Sequence, residues 1–151
     1  MWPFARKKPF FSKEENDTIV ESIRDAETQT SGEVRVFVES HCKYVDPLDR
    51  AAEIFSKLKM EETEYRNGVL FYIAIKDKQL AIFADSGIHA ATGNEHWKNI
   101  VRQILSVFSK ESVVAGMVMS IKAIGEALKS HFPYDKAVDK NELPDEIIFS
   151  N

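Results

Sequence analysis

The sequence predicts an α/β fold: a three-layer α/β/α sandwich around a small mixed sheet, in the order α-β-α-β-β-α-α. Two β-like runs, "EVRVFVES" and "VLFYIAI", flank an amphipathic segment opened by Asp46-Pro47, which is the pattern of a right-handed parallel crossover. "VLFYIAI" is apolar throughout and is followed across Lys76-Asp77-Lys78 by "QLAIFA", so a buried strand and its antiparallel partner form a hairpin. Helical periodicity before and after these strands supplies layers for both faces of the sheet.

The elements follow in order. Ser12-Lys-Glu-Glu15 is a capping box, and Ile19, Val20, Ile23 and Ala26 then recur at helical spacing until about Thr30. Val34, Val36 and Val38 share one face of the first strand, and Phe37 adds apolar character to the other. Asp46 suits an N-cap and Pro47 the first helical position. Leu48, Ala51, Ala52, Phe55 and Leu58 form the second helix's apolar stripe. Asn67-Gly68 is a turn dipeptide before the central strand. After Asp85-Ser86-Gly87, "IHAATGN" reads as a loop. The third helix begins near Asn94 and carries Trp97, Ile100, Val101, Ile104, Leu105 and Phe108. A fourth runs from about Ser112 to Ser130, and Pro133 stops it. The reading is one domain over residues 12–133, with an N-terminal arm over 1–11 and an irregular acidic tail over 134–151. Ile147, Ile148 and Phe149 are the tail residues expected to dock.

Composition narrows the function classes. With 151 residues, 44% of them hydrophobic, the chain can bury a sizeable core. A net charge of −4 argues against nucleic acid as the main partner. No apolar run is long enough for an integral membrane segment, and the N-terminus lacks the pattern of a signal peptide. A single cysteine, Cys42, allows no internal disulfide, and a cytoplasmic location is expected.

"HCKYVDPLDR" does not match a cysteine-phosphatase loop, because Leu48 stands where the phosphate-binding arginine belongs. His41, His89, His96 and His131 make no helical zinc pair, and Gly68, Gly87 and Gly93 form no phosphate-binding loop. The carboxylates are more informative. The first two strands start at Glu33 and Gly68, and the antiparallel third ends at Asp85. Topology therefore draws Glu27, Glu33, Asn67, Asp85 and Glu95 toward one rim of the sheet. Hard oxygen donors from several loops suit calcium or magnesium, whereas turn and capping chemistry explains the same residues without a ligand. The opposite rim, with Glu39, Ser40, His41 and Asp46, lies at the carboxyl ends of the parallel strands, a common ligand position in open sheets.

Several motifs resemble the TPM domain family. That family includes the thylakoid-lumen acid phosphatase and photosystem II repair proteins, together with many bacterial proteins. The landmarks are Glu27-x-x-Thr30-Ser-Gly-Glu33-Val-Arg-Val, Asn67-Gly-Val-Leu-Phe-Tyr-Ile-Ala, the Asp77-Lys turn, Ile82-Phe-Ala-Asp85-Ser-Gly87-Ile88 and Ala115-Gly116. They span about residues 14–130, and the "HFPYD" ending resembles short soluble bacterial members. The resemblance implies an α/β/α sandwich and a divalent-ion site, with calcium the usual candidate. It places Glu27, Glu33, Asn67 and Asp85 within matching motifs. The usual Gly-x-Gly-Leu-Glu reads here as Asp85-Ser-Gly87-Ile-His89, so the family's glutamate is replaced by His89.

Three functions follow as expectations. The first is a non-catalytic domain that binds a divalent cation, calcium or magnesium, and acts through an unidentified protein partner. The second is a metal-dependent acid phosphatase on phosphomonoesters, for which no nucleophile beside a base is evident. The third is a protein interaction module using the aromatic arm and acidic tail.

Overall fold

The computed structural model describes residues 10–108, 112–134 and 146–150. Its elements are α1 (Lys13–Glu27), β1 (Glu33–Glu39), α2 (Pro47–Lys57), β2 (Gly68–Ala74), β3 (Gln79–Ala84), α3 (Ser86–Thr92), α4 (Asn94–Phe108), α5 (Val113–His131) and β4 (Ile147–Phe149). The four strands form one mixed sheet in the order β3-β2-β1-β4. β1 and β2 are parallel from Glu33–Gly68 to Glu39–Ala74, β3 returns antiparallel to β2, and β4 lies parallel to β1.

Local chemistry starts the helices where the sequence places them. Ser12 Oγ accepts the Glu15 N–H at 3.1 Å, and Glu15 Oε1 accepts the Ser12 N–H at 2.9 Å, completing the capping box. Asp46 Oδ1 accepts the Leu48 N–H at 2.9 Å and caps α2.

The strands then sort their side chains by alternation. Val34, Val36, Val38, Val69, Phe71, Ile73, Leu80 and Ile82 pack in one core with residues of α1, α3, α4 and α5. Phe37, Leu70, Tyr72, Ala74 and Ala81 pack in a second core with Ala51, Ile54 and Phe55 of α2. Helices on both faces explain why β2 is buried along its whole length and apolar at every position. The three-layer expectation is met, with α2 alone on one side.

Two segments differ from the sequence reading. "SGIHAAT" is helix α3 and not a loop, because Asp85 supplies an N-cap and Ile88 an apolar anchor that is fully buried. In the tail, "IIF" is strand β4, a run too short to show a period of its own. Tail residues 135–145 and 151, and arm residues 1–9, lie outside the described residues.

Candidate functional site

The rim anticipated from topology forms where β1 and β2 begin and β3 ends. The Glu33 N–H donates to Asn67 O at 3.3 Å, and the Asp85 N–H donates to Gly68 O at 2.9 Å. The end of α1 is drawn in by Glu27, whose Oε2 accepts the Val34 N–H at 2.8 Å. The chain after α5 closes the far side: Ser31 N–H donates to Phe132 O at 2.9 Å, and Tyr134 N–H to Gln29 O at 3.2 Å. Thr30 Oγ1 also donates to Phe132 O. Backbone pairing brings Glu33, Asn67 and Asp85 to this rim, and the Glu27 carboxylate joins them through Val34.

Glu33, Asn67 and Asp85 are 1%, 0% and 3% exposed. Buried polar groups of this kind are expected to be paired, since each orphan costs about 1–3 kcal/mol. Asn67 Nδ2 donates to Ser31 Oγ at 3.5 Å, but Asn67 Oδ1 is buried without a hydrogen-bond partner. Thr63 Oγ1, in the turn just before, is also buried and unpartnered.

Asp85 answers to several groups at once. Its Oδ1 accepts the Ser86 N–H at 2.7 Å, which caps α3. Both oxygens receive Arg66, through Nε at 2.8 Å and Nη2 at 2.8 Å. That bidentate pair raises the guanidinium's pKa above its ordinary value. Arg66 takes a left-handed backbone, φ 51°, and its carbonyl accepts the Gly87 N–H at 2.8 Å. A Cβ at Gly87 would lie 2.1 Å from Tyr65 O and 2.7 Å from Arg66 O, so only glycine permits this approach. The carboxylate, the small side chain and the glycine that end β3 are therefore a cap and clamp on the Thr63–Arg66 turn. A second cation, Arg35, has its pKa lowered by burial, against the raising effect of Glu146 and Glu27.

Glu95 is placed elsewhere. Seven residues of α3 separate Asp85 from the start of α4, a rise of about 10 Å. Glu95 stands on the exposed surface of α4, with Arg102 Nη2 at 3.7 Å. His89, at the family's glutamate position, is exposed on α3.

The opposite rim is a polar network around the buried Glu39. Arg50 donates to both oxygens of Glu39, at 2.9 and 3.0 Å, and also to Glu53. Tyr72 Oη donates to Glu39, and Tyr44 Oη to Glu53. Burial and the bond to Glu39 push the Tyr72 hydroxyl's pKa up. Nearby, Asp77 takes His41 Nδ1 at 2.8 Å and the Cys42 N–H at 2.7 Å, which hold its pKa down. The Glu39, Glu53 and Asp77 carboxylates are met from within the protein, so the arrangement is a structural tie between β1, β2 and α2. Among the described residues, no group of three or more His, Cys, Asp or Glu is disposed to hold a metal ion.

The TPM domain profile matches residues 6–127. The chain belongs to the TPM domain family. This TPM domain superposes on the NMR structure of the BA42 protein from the psychrophilic bacterium Bizionia argentinensis with a TM-score of 0.85. The two share 38% identity, and the match covers 95% of this chain and 97% of BA42. The N-terminal domain of the cg2496 protein from Corynebacterium glutamicum shares the fold, with a TM-score of 0.61 at 13% identity, covering 86% of this chain and 89% of that domain. No curated protein matches this chain significantly. Among its described residues, no helix is long and apolar enough to cross a membrane.

The reading of the rim from sequence included four residues of this constellation and missed Arg66 and Thr63. Their one signal was position, immediately before Asn67-Gly68.

Proposed function

We propose that this TPM domain binds a hard divalent cation, calcium or magnesium, at the Glu27–Glu33–Asn67–Asp85 rim, and that the role is non-catalytic. The observation that carries the reading is Asn67 Oδ1, a fully buried carbonyl oxygen without a partner, beside the buried carboxylates of Glu33 and Asp85. An all-oxygen donor set suits calcium or magnesium and not a thiophilic metal. Asn67, Glu33, Glu27 and Asp85 would hold the ion, which supplies positive charge to a carboxylate-rich rim.

Arg66 gives that charge to Asp85 in its place. Its side chain is 50% exposed, so release into water costs little packing. Binding is then an exchange of one cation for another at Asp85. Glu95 is left out of the ligand set. A hydrolase that works through a covalent intermediate would need a hydroxyl activated by a base. Thr30 Oγ1 and Ser31 Oγ have Phe132 O and Asn67 Nδ2 as partners instead.

Calorimetric titration with calcium and with magnesium tests the reading. Heat that disappears in Asn67→Ala and Asp85→Asn, and affinity that rises in Arg66→Gln, is the expected result. Flat titrations of wild type and Arg66→Gln with both ions reject it.

A further inference from the structure

β3 is the outer strand on its side of the sheet, and its free edge is sunk between two helices. The bond from the Asp85 N–H to Gly68 O makes Gly68–Asp85 a hydrogen-bonded pair. Antiparallel pairing alternates, so Leu70–Phe83, Tyr72–Ala81 and Ala74–Gln79 are also of the bonded type. The N–H and C=O groups of Leu80, Ile82 and Ala84 must then point away from β2. Among the described residues, no hydrogen bond reaches those outward groups.

A groove of about 370 Å³ runs over this edge, floored by Leu80, Ala81 and Ile82. Asp46, Pro47 and Leu48 at the start of α2 form one wall, its one carboxylate at the N-cap, and Trp97, Lys98, Val101, Arg102 and Leu105 of α4 form the other. Leu48 and Leu105 are 38% and 39% exposed, a large apolar offering on facing walls. A row of backbone groups that no described residue bonds, between walls that carry Leu48 and Leu105, is complementary to an extended chain.

The groove also carries charge. Lys98 and Arg102 lie one helical turn apart on the α4 wall, an axial step of about 6 Å. Residues two apart on a strand are separated by about 6.6 Å, so acidic side chains at alternate positions of an added strand match the two cations. The Arg102 side chain is 65% exposed; it donates to Asn99 Oδ1 at 2.6 Å, and its carboxylate neighbour, Glu95, is 3.7 Å away. The recess selects against a second copy of this chain, whose α2 and α4 walls would meet these walls before the two β3 edges came within bonding distance.

We propose that β3 is a strand-addition site for an extended segment of a partner protein, with carboxylates at alternate positions facing Lys98 and Arg102 and apolar side chains against Leu48 and Leu105. This site is independent of the cation rim.

The probe is a pool of blocked heptapeptides that alternate Glu or Asp with Val, Ile, Leu or Thr, added to isotope-labelled protein. Amide shifts and slowed solvent exchange at Leu80, Ile82 and Ala84 are expected, with binding weakened about tenfold in the surface double variant K98E/R102E. A matching pool with Lys in place of Glu and Asp should bind that variant better than wild type. Absence of shifts with the acidic pool overturns the proposal. Shifts without slowed exchange overturn strand addition, since side chains alone would then fill the groove. Shifts at Leu80 and Ile82 that follow protein concentration without peptide assign the edge to self-association and also overturn it.

Discussion

Asp85 and Arg66 show how one short segment performs several tasks at the scale of single residues. The carboxylate caps α3, binds a guanidinium in two places and ends a strand. These tasks separate under substitution. Asp85→Asn retains a capping oxygen and loses the charge, whereas Asp85→Ala loses both. We expect the alanine variant to be less stable than the asparagine variant by about 1 kcal/mol, read by denaturant unfolding. Glu39 gives a sharper case. It is buried, and its charge is balanced by Arg50. Arg50→Ala strands that carboxylate inside and should cost about 3–5 kcal/mol, whereas replacing Arg50 and Glu39 together by Met and Leu should cost far less. A double-mutant cycle measures the difference. Asp85 was legible as a rim residue because strand direction alone places it there. Arg66 was not, since nothing local marks a surface arginine as the partner of a carboxylate 19 positions away.

Among the elements, α3 departs most from expectation. Gly87, Thr92 and Gly93 argue for a loop by propensity, and the capped turn over Ile88 outweighs them. The consequence is positional, because α4 starts a helix length farther from the rim and carries Glu95 away with it. The first turn of α4 also holds His96, edge-on to the Trp97 ring with centroids 4.8 Å apart. Its Nε2 is buried and unpartnered. Burial, and then the charge of His131, lower its pKa from the ordinary value. Lowering in the folded state means that the unfolded chain binds the proton more readily. Stability is therefore full above the ordinary imidazole value, near about pH 6.5, and is lost as pH falls from there through the lower folded value. Thermal unfolding of wild type should fall between about pH 7.5 and about pH 5, and His96→Asn should remove part of that fall.

For the molecule as a whole, the sheet is closed on one side by its own C-terminal segment. Ile147, Ile148 and Phe149 pair with Val36, Phe37 and Val38, and Ser150 N–H donates to Val38 O at 2.8 Å. Phe149 stacks on Phe10 at 5.8 Å, so segments near both ends of the chain meet over β1. Deleting residues 146–151 removes the buried Ile147 side chain and uncovers the β1 edge. A loss of about 2–4 kcal/mol is expected from the apolar area alone, with faster amide exchange in Val36 and Val38. The free edge at β3 has no such cover from the described residues, and that asymmetry is what makes it a place for another chain.

The sequence alone determined the three-layer plan, the parallel crossover, the hairpin and the starts of α1, α2 and α5. Each follows from forces that act within a few residues or from a period set by backbone geometry. It also determined which rim gathers Glu27, Glu33, Asn67 and Asp85, because strand direction is fixed once parallel and antiparallel pairs are known. Only the tertiary structure decided that Arg66 neutralises Asp85, that Asn67 Oδ1 is left without a partner, that "IIF" completes the sheet and that β3 keeps an open edge. Those outcomes depend on burial and pairing between residues far apart in the chain, where no local period carries the information.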